Sequence, residues 1–349
     1  MKAVVLENKG LLTYKEVPTP TVQPGHALLQ VRAVSICGSD IMRYIKGHRM
    51  YNLILGHECA GVVVQVGEGV SRAWVGKHVA VIPLVPDLAC EQCRLGHYSA
   101  CHHYSFIGSR QDGGYAEYVH LPEKCLLVLP ESLEFEDAAL IEPATVARHI
   151  LDRGRFQPGQ TVAVLGAGSV GLMAVQWLRI LDAGCIICTD VVQENLEIAK
   201  ALGAHVTLNP QQVDVQARVK ELTGDGVDLA LEVAGVPQTL AQTIQVTRPR
   251  GNIVCGGNQP LDASQPMSFI EDLMRKELHL SGCFMSYSAP FPGHEWTDSV
   301  DALVQDKLKM NPMISHRYPL SAAVQVFQDI AAHNLTHRKI ILLPEEPTQ

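Results

Sequence analysis

Apolar residues in the first 142 positions come in short runs broken by glycine and proline. Ala27-Leu28-Leu29-Gln30-Val31-Arg32-Ala33-Val34 is one run, and 61–66, 78–82 and 115–119 are others. Valine, isoleucine and tyrosine enrichment with turn residues at short intervals predicts a small all-β or barrel-like unit. From about residue 143 the pattern changes. Thr161-Val162-Ala163-Val164-Leu165 reads as a short buried strand, and 170–181 has helical length. Cys185-Ile186-Ile187-Cys188-Thr189 is a second strand, 194–202 a second helix, and 227–231 and 252–255 continue the alternation. Strands alternating with helices predict βαβ units and a parallel sheet. Beyond about 285, helical runs at 298–307 and 322–332 end in the strand-like Lys339-Ile340-Ile341-Leu342-Leu343. The expected division is a β domain over 1–142, an inserted α/β domain over 143–285, and a C-terminal return over 286–349 that completes the first.

Composition fits that division. The chain has 349 residues, 47% hydrophobic and 18% charged, which suits roughly two domains at about 150 residues each. The formal charge is −8 and there is no basic block, so nucleic acid and anionic membranes are poor partners. The stretch 161–178 has no charge over 18 residues, the length at which a membrane span is suspected. Gly166, Gly168 and Gly171 break its middle, and it reads as strand, turn and helix instead. The opening Met1-Lys2-Ala3-Val4-Val5-Leu6-Glu7 becomes polar too soon for a signal peptide, so a cytoplasmic location is expected.

Gly166-Ala167-Gly168-Ser169-Val170-Gly171 is a weak signal as a bare GxGxxG, and its setting strengthens it. It follows an apolar strand, opens a helix, and precedes a second strand ending in Asp190. Such a loop binds a dinucleotide. Gly166 makes the tight turn, Gly168 lets backbone approach the pyrophosphate, and Gly171 permits close helix–sheet packing. The helix N-terminus favours the phosphates. Asp190 can accept both ribose hydroxyls and would repel a 2′-phosphate, and no arginine follows in Val191-Val192-Gln193. NAD is favoured over NADP. Ser169, Val170, Val233 and Cys255 complete the expected cofactor contacts.

The ten cysteines and fifteen histidines raise the question of metal. Clustered cysteines in a long chain of intracellular type more often bind metal than pair as disulfides. Cys90, Cys93 and Cys101 are three thiolates close in sequence, and Asp87 stands three residues before the first. Together they make a closed carboxylate-plus-three-thiolate zinc site that would pin a loop. Spare thiols without metal, or a redox CxxC lacking its usual βαβ setting, are the rival readings. Cys37-Gly38-Ser39-Asp40, Gly56-His57-Glu58 and Glu142-Pro143 supply one thiolate, one imidazole and two carboxylates around a possible open zinc site. Spacing alone does not show that they converge. Cys59, Cys125, Cys185, Cys188, Cys255 and Cys283 read as reduced residues in apolar stretches.

These motifs, with Gly113-Gly114-Tyr115-Ala116-Glu117-Tyr118 and Ile141-Glu142-Pro143, resemble the zinc-dependent medium-chain dehydrogenases in order and over nearly the whole chain. The resemblance implies an α/β fold class, with a GroES-like β-barrel catalytic domain interrupted by a Rossmann doubly wound parallel-sheet domain. Glu58 and Glu142-Pro143 resemble the polyol dehydrogenase branch. It implies a catalytic zinc on Cys37, His57 and Glu58 with Glu142 adjacent or ligating, a structural zinc on Asp87, Cys90, Cys93 and Cys101, and NAD. Ser39 resembles the residue that passes the substrate proton toward solvent. The segments 106–114 and 285–296 resemble members acting on sugar-alcohol phosphates. The expected reaction is therefore oxidation of a secondary hydroxyl, galactitol 1-phosphate to tagatose 6-phosphate first, with Arg43, Lys46 and Arg110 as phosphate contacts. Unphosphorylated polyols of the sorbitol or iditol type, threonine, and a non-catalytic zinc- and NAD-binding relative are the alternatives. Two features depart from the family pattern: Asp87 replaces the usual first structural cysteine, and the loop 46–51 differs in detail. The family associates as dimers or tetramers, and 277–282 is the candidate edge.

Overall fold

The computed structural model describes residues 1–259, 264–265 and 267–344. Two compact units emerge: Met1–Glu142 with Ser288–Val304 and Met310–Gln349, and Pro143–Tyr287 with Gln305–Lys309. Among the described residues no helix is long and apolar enough to cross a membrane.

The first unit is built on a seven-stranded sheet. Its neighbours run Leu126–Val128, His78–Val81, Glu58–Val66, His26–Ser35, Lys339–Leu343 and Ile314–Pro319. The ten-residue His26–Ser35 strand changes partner along one edge. Tyr118–Pro122 pairs with its first half, from His26↔Pro122 to Gln30↔Tyr118. Lys339–Leu343 takes its far end through Leu342↔Val34 and Ile341↔Ser35. On the other edge Ser35 is opposite Glu58. This register carries the start of the last strand to the start of the Glu58–Val66 strand. Leu29, Ala33, Val34, Val63, Ile340 and Ile341 are buried around the junction.

The predicted strand 115–119 instead starts at Tyr118. The preceding residues are occupied elsewhere: the amides of Gly113, Gly114 and Tyr115 donate to the carbonyls of Ile54, Gly56 and Leu55. A Cβ at Gly113 would lie 2.2 Å from the Gly56 carbonyl oxygen, so only glycine permits this approach.

The second unit holds a six-stranded sheet in the order Val206–Leu208, Cys185–Thr189, Thr161–Leu165, Val227–Glu232, Thr247–Cys255 and His279–Gly282. Every pairing is parallel. Val162, Ala163, Val164 and Leu165 are all buried, as expected of a strand covered on both faces. Strand order reverses at Thr161–Leu165, and open α/β sheets bind ligands at such a switch point. A 13-residue helix, Ile141–Arg153, has no counterpart in the sequence reading. Pro143 looks like a helix breaker, yet it sits in the first turn, where its missing N–H is not needed.

Candidate active site and metal centres

Cys37 caps the helix Gly38–Lys46. Its Sγ accepts from the Ser39 amide at 3.5 Å and from Ser39 Oγ at 3.2 Å. Arg43 Nη1 then donates to Ser39 Oγ at 2.9 Å and to Asp40 Oδ1 at 2.7 Å. Asp40 is fully buried; its other oxygen accepts from the Tyr115 hydroxyl at 2.8 Å, and His57 Nδ1 lies 3.6 Å from Oδ1. Gly56 holds φ +92°, and a Cβ there would lie 2.5 Å from the Tyr115 ring. That glycine lets the chain turn past Tyr115 and deliver His57 and Glu58 to the sheet's first position.

Ligand atoms of Cys37, His57 and Glu58 lie within 4.8 Å of one another. Sulfur, imidazole nitrogen and carboxylate oxygen form a donor set suited to zinc. The electrostatics agree. Burial pulls His57 down, but the charges of Asp40 and Cys37 outweigh it and hold the imidazole well above its usual range. The anionic surroundings that raise it, Asp40 and Cys37, are also those that would favour a bound cation. His57 Nδ1 is buried without a hydrogen-bond partner. Glu142 lies in the first turn of Ile141–Arg153, outside the three-residue cluster. Burial pushes its carboxyl up to about 7; His57 opposes that rise, and Glu58 adds to it.

The structure adds a residue to this site that sequence reasoning missed. Lys339 is buried and donates to Glu58 Oε1 at 2.7 Å and Oε2 at 2.5 Å. The Ser35 hydroxyl also donates to Glu58 Oε2. The one sequence signal was a lysine heading an otherwise apolar strand.

Asp87, Cys90, Cys93 and Cys101 form the second cluster, again with ligand atoms within 4.8 Å. Backbone N–H groups of His102 and then Cys93 lower the Cys90 thiol. Burial raises the Cys93 thiol, and its neighbours Cys101, Asp87 and Cys90 raise it further. Cys93 and Cys101 are buried and Asp87 and Cys90 half-buried, and one carboxylate with three sulfurs, with amides directed at sulfur, is a donor set that fits a divalent cation. Of the other cysteines, Cys59, Cys125 and Cys188 are buried, while Cys185, Cys255 and Cys283 are half-buried; all are free thiols.

In the second unit, Gly166 adopts φ +108°, and a Cβ there would meet Ala234 at 2.8 Å. A Cβ at Gly171 would lie 1.8 Å from the Gly166 carbonyl oxygen, whereas at Gly168 it would meet nothing within 4 Å. Gly168 is the N-cap of the helix Ser169–Ile180, so the positive end of the helix dipole faces an open approach. This cradle fits a dinucleotide pyrophosphate. Asp190 Oδ2 accepts from the Ala167 amide at 2.6 Å and Oδ1 from the Val192 amide at 2.8 Å, which ties the loop to the end of the second strand. The Val233 amide donates to the Leu165 carbonyl. Cys255 ends its strand, and burial, then Glu232, pushes its thiol up to about 11.

Glu232 was also missed. It is fully buried, and its Oε1 accepts from the amides of Ala234 and Gly235 and from Thr239 Oγ1, at 3.1, 2.8 and 2.7 Å. Gln259 Nε2 donates to Oε2 at 2.8 Å. It fixes the loop against which Gly166 packs.

The three expected phosphate contacts are placed differently. Arg43 is engaged by Asp40 and Ser39. Arg110 lies over the Tyr104 ring at 3.5 Å and donates to the Tyr104 carbonyl. Lys46 is exposed at the end of its helix.

Residues 23–131 match the alcohol dehydrogenase GroES-like domain and residues 169–305 the zinc-binding dehydrogenase domain. The chain is 35% identical to galactitol 1-phosphate 5-dehydrogenase of Escherichia coli K12, over 99% of this chain and 100% of that protein. The crystal structure of galactitol-1-phosphate dehydrogenase from Escherichia coli matches with TM-score 0.94 at 34% identity, covering 99% and 100% of the two chains. Sorbitol dehydrogenase of Bacillus subtilis is 37% identical over 84% of each chain. The chain belongs to the zinc-dependent medium-chain dehydrogenase family.

The GroES-like and Rossmann-type architecture expected of a medium-chain dehydrogenase is thus present, and its neighbours include polyol dehydrogenases. Zinc and NAD are cofactors that fit this family. A zinc-binding dehydrogenase from Sinorhizobium meliloti 1021, 30% identical with TM-score 0.91 over 98% of this chain and 99% of that one, was solved bound to NADP.

Proposed function

We propose that this dehydrogenase oxidises a secondary hydroxyl of a sugar alcohol phosphate with NAD, galactitol 1-phosphate to tagatose 6-phosphate being the first candidate. The observation that carries the reading is the Cys37–His57–Glu58 cluster, set beside full-length similarity to galactitol 1-phosphate 5-dehydrogenase. Cys37, His57 and Glu58 would hold the catalytic zinc, with Glu142 as the adjacent carboxylate. Zinc bound there supplies a Lewis acid that lowers the pKa of the substrate hydroxyl. Asp40 Oδ1, 3.6 Å from His57 Nδ1, stands where an outer-sphere carboxylate orients a ligating imidazole. Half-buried Ser39 takes the hydroxyl proton toward solvent, while Arg43 fixes its oxygen. The carbinol carbon gives up hydride to NAD. Asp190, at the end of the second Rossmann strand, disfavours a 2′-phosphate, which supports NAD over NADP.

Asp87, Cys90, Cys93 and Cys101 would hold a closed structural zinc. Of the cations considered for a substrate phosphate, exposed Lys46 is the least committed to internal contacts; Arg43 and Arg110 serve only by leaving theirs. The exposed side chains of Leu280 and Phe284, beside the His279–Gly282 edge strand, support self-association as a homodimer or homotetramer. Steady-state turnover of galactitol 1-phosphate, galactitol and sorbitol with NAD, before and after chelation, tests the assignment. Equal or better activity on the free polyols would move the substrate to the sorbitol class.

A further inference from the structure

Asp87 is the one residue of the closed cluster with two possible donor atoms, and the structure already employs one of them. Oδ1 accepts the amide N–H of Ala89 at 2.9 Å and of Cys90 at 3.0 Å. These two bonds close the turn that leads into Glu91–Arg94, where Cys93 sits. Other ties in the same loop also need no metal. The Asp87 amide donates to Cys101 Sγ at 3.4 Å, Arg94 Nη1 to the Ala89 carbonyl at 2.6 Å, and Lys124 Nζ to the Pro86 carbonyl at 2.5 Å. Tyr98 packs edge-on against Phe291, with ring centroids 5.3 Å apart. A cysteine at 87 would offer a single sulfur, a weak acceptor, for both jobs.

We propose that Asp87 divides its carboxylate between two tasks: Oδ1 holds the 87–90 turn closed on its own, and Oδ2 is left to the metal. The loop 87–101 then keeps its shape when zinc departs, and the site is an exchangeable one rather than a permanent pin. The harder carboxylate replaces one of four soft thiolates, which lowers the grip on zinc, while the turn that presents Cys90 and Cys93 survives to rebind it. This inference rests on reading the 87/90/93/101 cluster as a zinc site.

Two substitutions separate the tasks in the full-length protein. Asp87→Asn keeps an acceptor oxygen for the two amides and removes the second carboxylate oxygen. Asp87→Cys supplies a fourth thiolate and removes the cap. Zinc release to a chromogenic chelator is followed in wild type and both variants, with Cys93→Ser identifying the release phase that belongs to this cluster. Trypsin cleavage after exposed Arg94 is then timed in the zinc-stripped proteins. Asp87→Asn is expected to release that zinc at least about tenfold faster, and Asp87→Cys about tenfold slower, in keeping with ligand-sphere changes. Stripped Asp87→Asn should resist cleavage like wild type, whereas stripped Asp87→Cys should be cut about tenfold faster, as loss of one local tie implies. Unchanged zinc release in Asp87→Asn, or equal protection of stripped Asp87→Cys and wild type, overturns the division of tasks. If Cys93→Ser abolishes no release phase, the zinc reading itself fails and takes the proposal with it.

Discussion

The Lys339 ammonium sits between both oxygens of Glu58, at 2.7 and 2.5 Å, and both residues are almost fully buried. Strand register produces this pair: Ser35 faces Glu58 on one side and Ile341 on the other, so the two ends of the sequence meet at one junction. Burial pulls the lysine down, but Glu58 and Cys37 outweigh it and hold Lys339 above its ordinary value. The pair neutralises a carboxylate that would otherwise stand beside Cys37 and Glu142. Removing one partner leaves the other as an isolated buried charge. In the metal-stripped protein Lys339→Met should therefore be destabilising by about 3–5 kcal/mol. The double variant Lys339→Met/Glu58→Gln should recover much of the loss. Urea unfolding of the two variants checks this; equal stability of single and double variants would show that the charge was never uncompensated.

Glu142 makes the metal-stripped enzyme pH-sensitive. Its carboxyl is held at about 7, first by burial. A carboxyl raised on folding contributes stability that is full below its unfolded value and is lost as pH rises through the folded value. The stripped protein should accordingly melt lower at pH 8 than at pH 5.5, and Glu142→Gln should flatten that slope. The same proton opposes metal uptake, so zinc affinity should climb between about pH 6 and 8 in wild type and less steeply in Glu142→Gln. Calorimetric zinc titration in buffers of different ionisation enthalpy counts the released proton. A pH slope identical in both proteins would remove Glu142 from the site.

Much of this was legible in the sequence because it is local. The strand Thr161–Leu165, the glycine loop and Asp190 lie within 30 residues, and each has a backbone reason for its residue type. The 87–101 cluster is likewise one loop. Cys37, His57 and Glu142 were legible as donors for an open zinc site, but their convergence was implied only by the family resemblance, since no spacing rule brings them together. Lys339 and Glu232 were not legible. A buried charge declares itself only through its partner, and the partner of Lys339 is 281 residues away. Glu232 ends an apolar strand as any solvent-facing acid might, and only the fold shows its oxygens filled by Ala234, Gly235, Thr239 and Gln259.

That carboxylate holds the 232–235 loop in place for the dinucleotide cradle. Glu232→Gln keeps the shape and replaces one acceptor oxygen with a donor, so amides of Ala234 and Gly235 or the Gln259 side chain lose a partner. A lost hydrogen bond to a charged group costs about 1.5–3 kcal/mol, equivalent to at least a tenfold change in binding. The KM for NAD should rise by about that factor with kcat near wild type. A fall in kcat at unchanged NAD affinity, measured by quenching of intrinsic fluorescence, would contradict a positioning role.

Gly168 and Gly171 should respond in opposite ways to the same added methyl. At Gly171 a Cβ would collide with the Gly166 carbonyl oxygen at 1.8 Å, so the helix Ser169–Ile180 must shift off its strand. Gly171→Ala should lower stability by about 1–3 kcal/mol or more, as overpacked positions do, with NAD binding lost alongside. At Gly168 the added carbon meets no protein atom within 4 Å, so Gly168→Ala should melt like wild type. It should still bind NAD more weakly, because the methyl fills space over amides that a pyrophosphate must approach. Thermal melting with and without NAD separates the two: the first variant melts early in either condition, and the second differs from wild type only in the shift that NAD produces. If Gly168→Ala gained the full wild-type shift, the pyrophosphate would have to sit elsewhere on the loop.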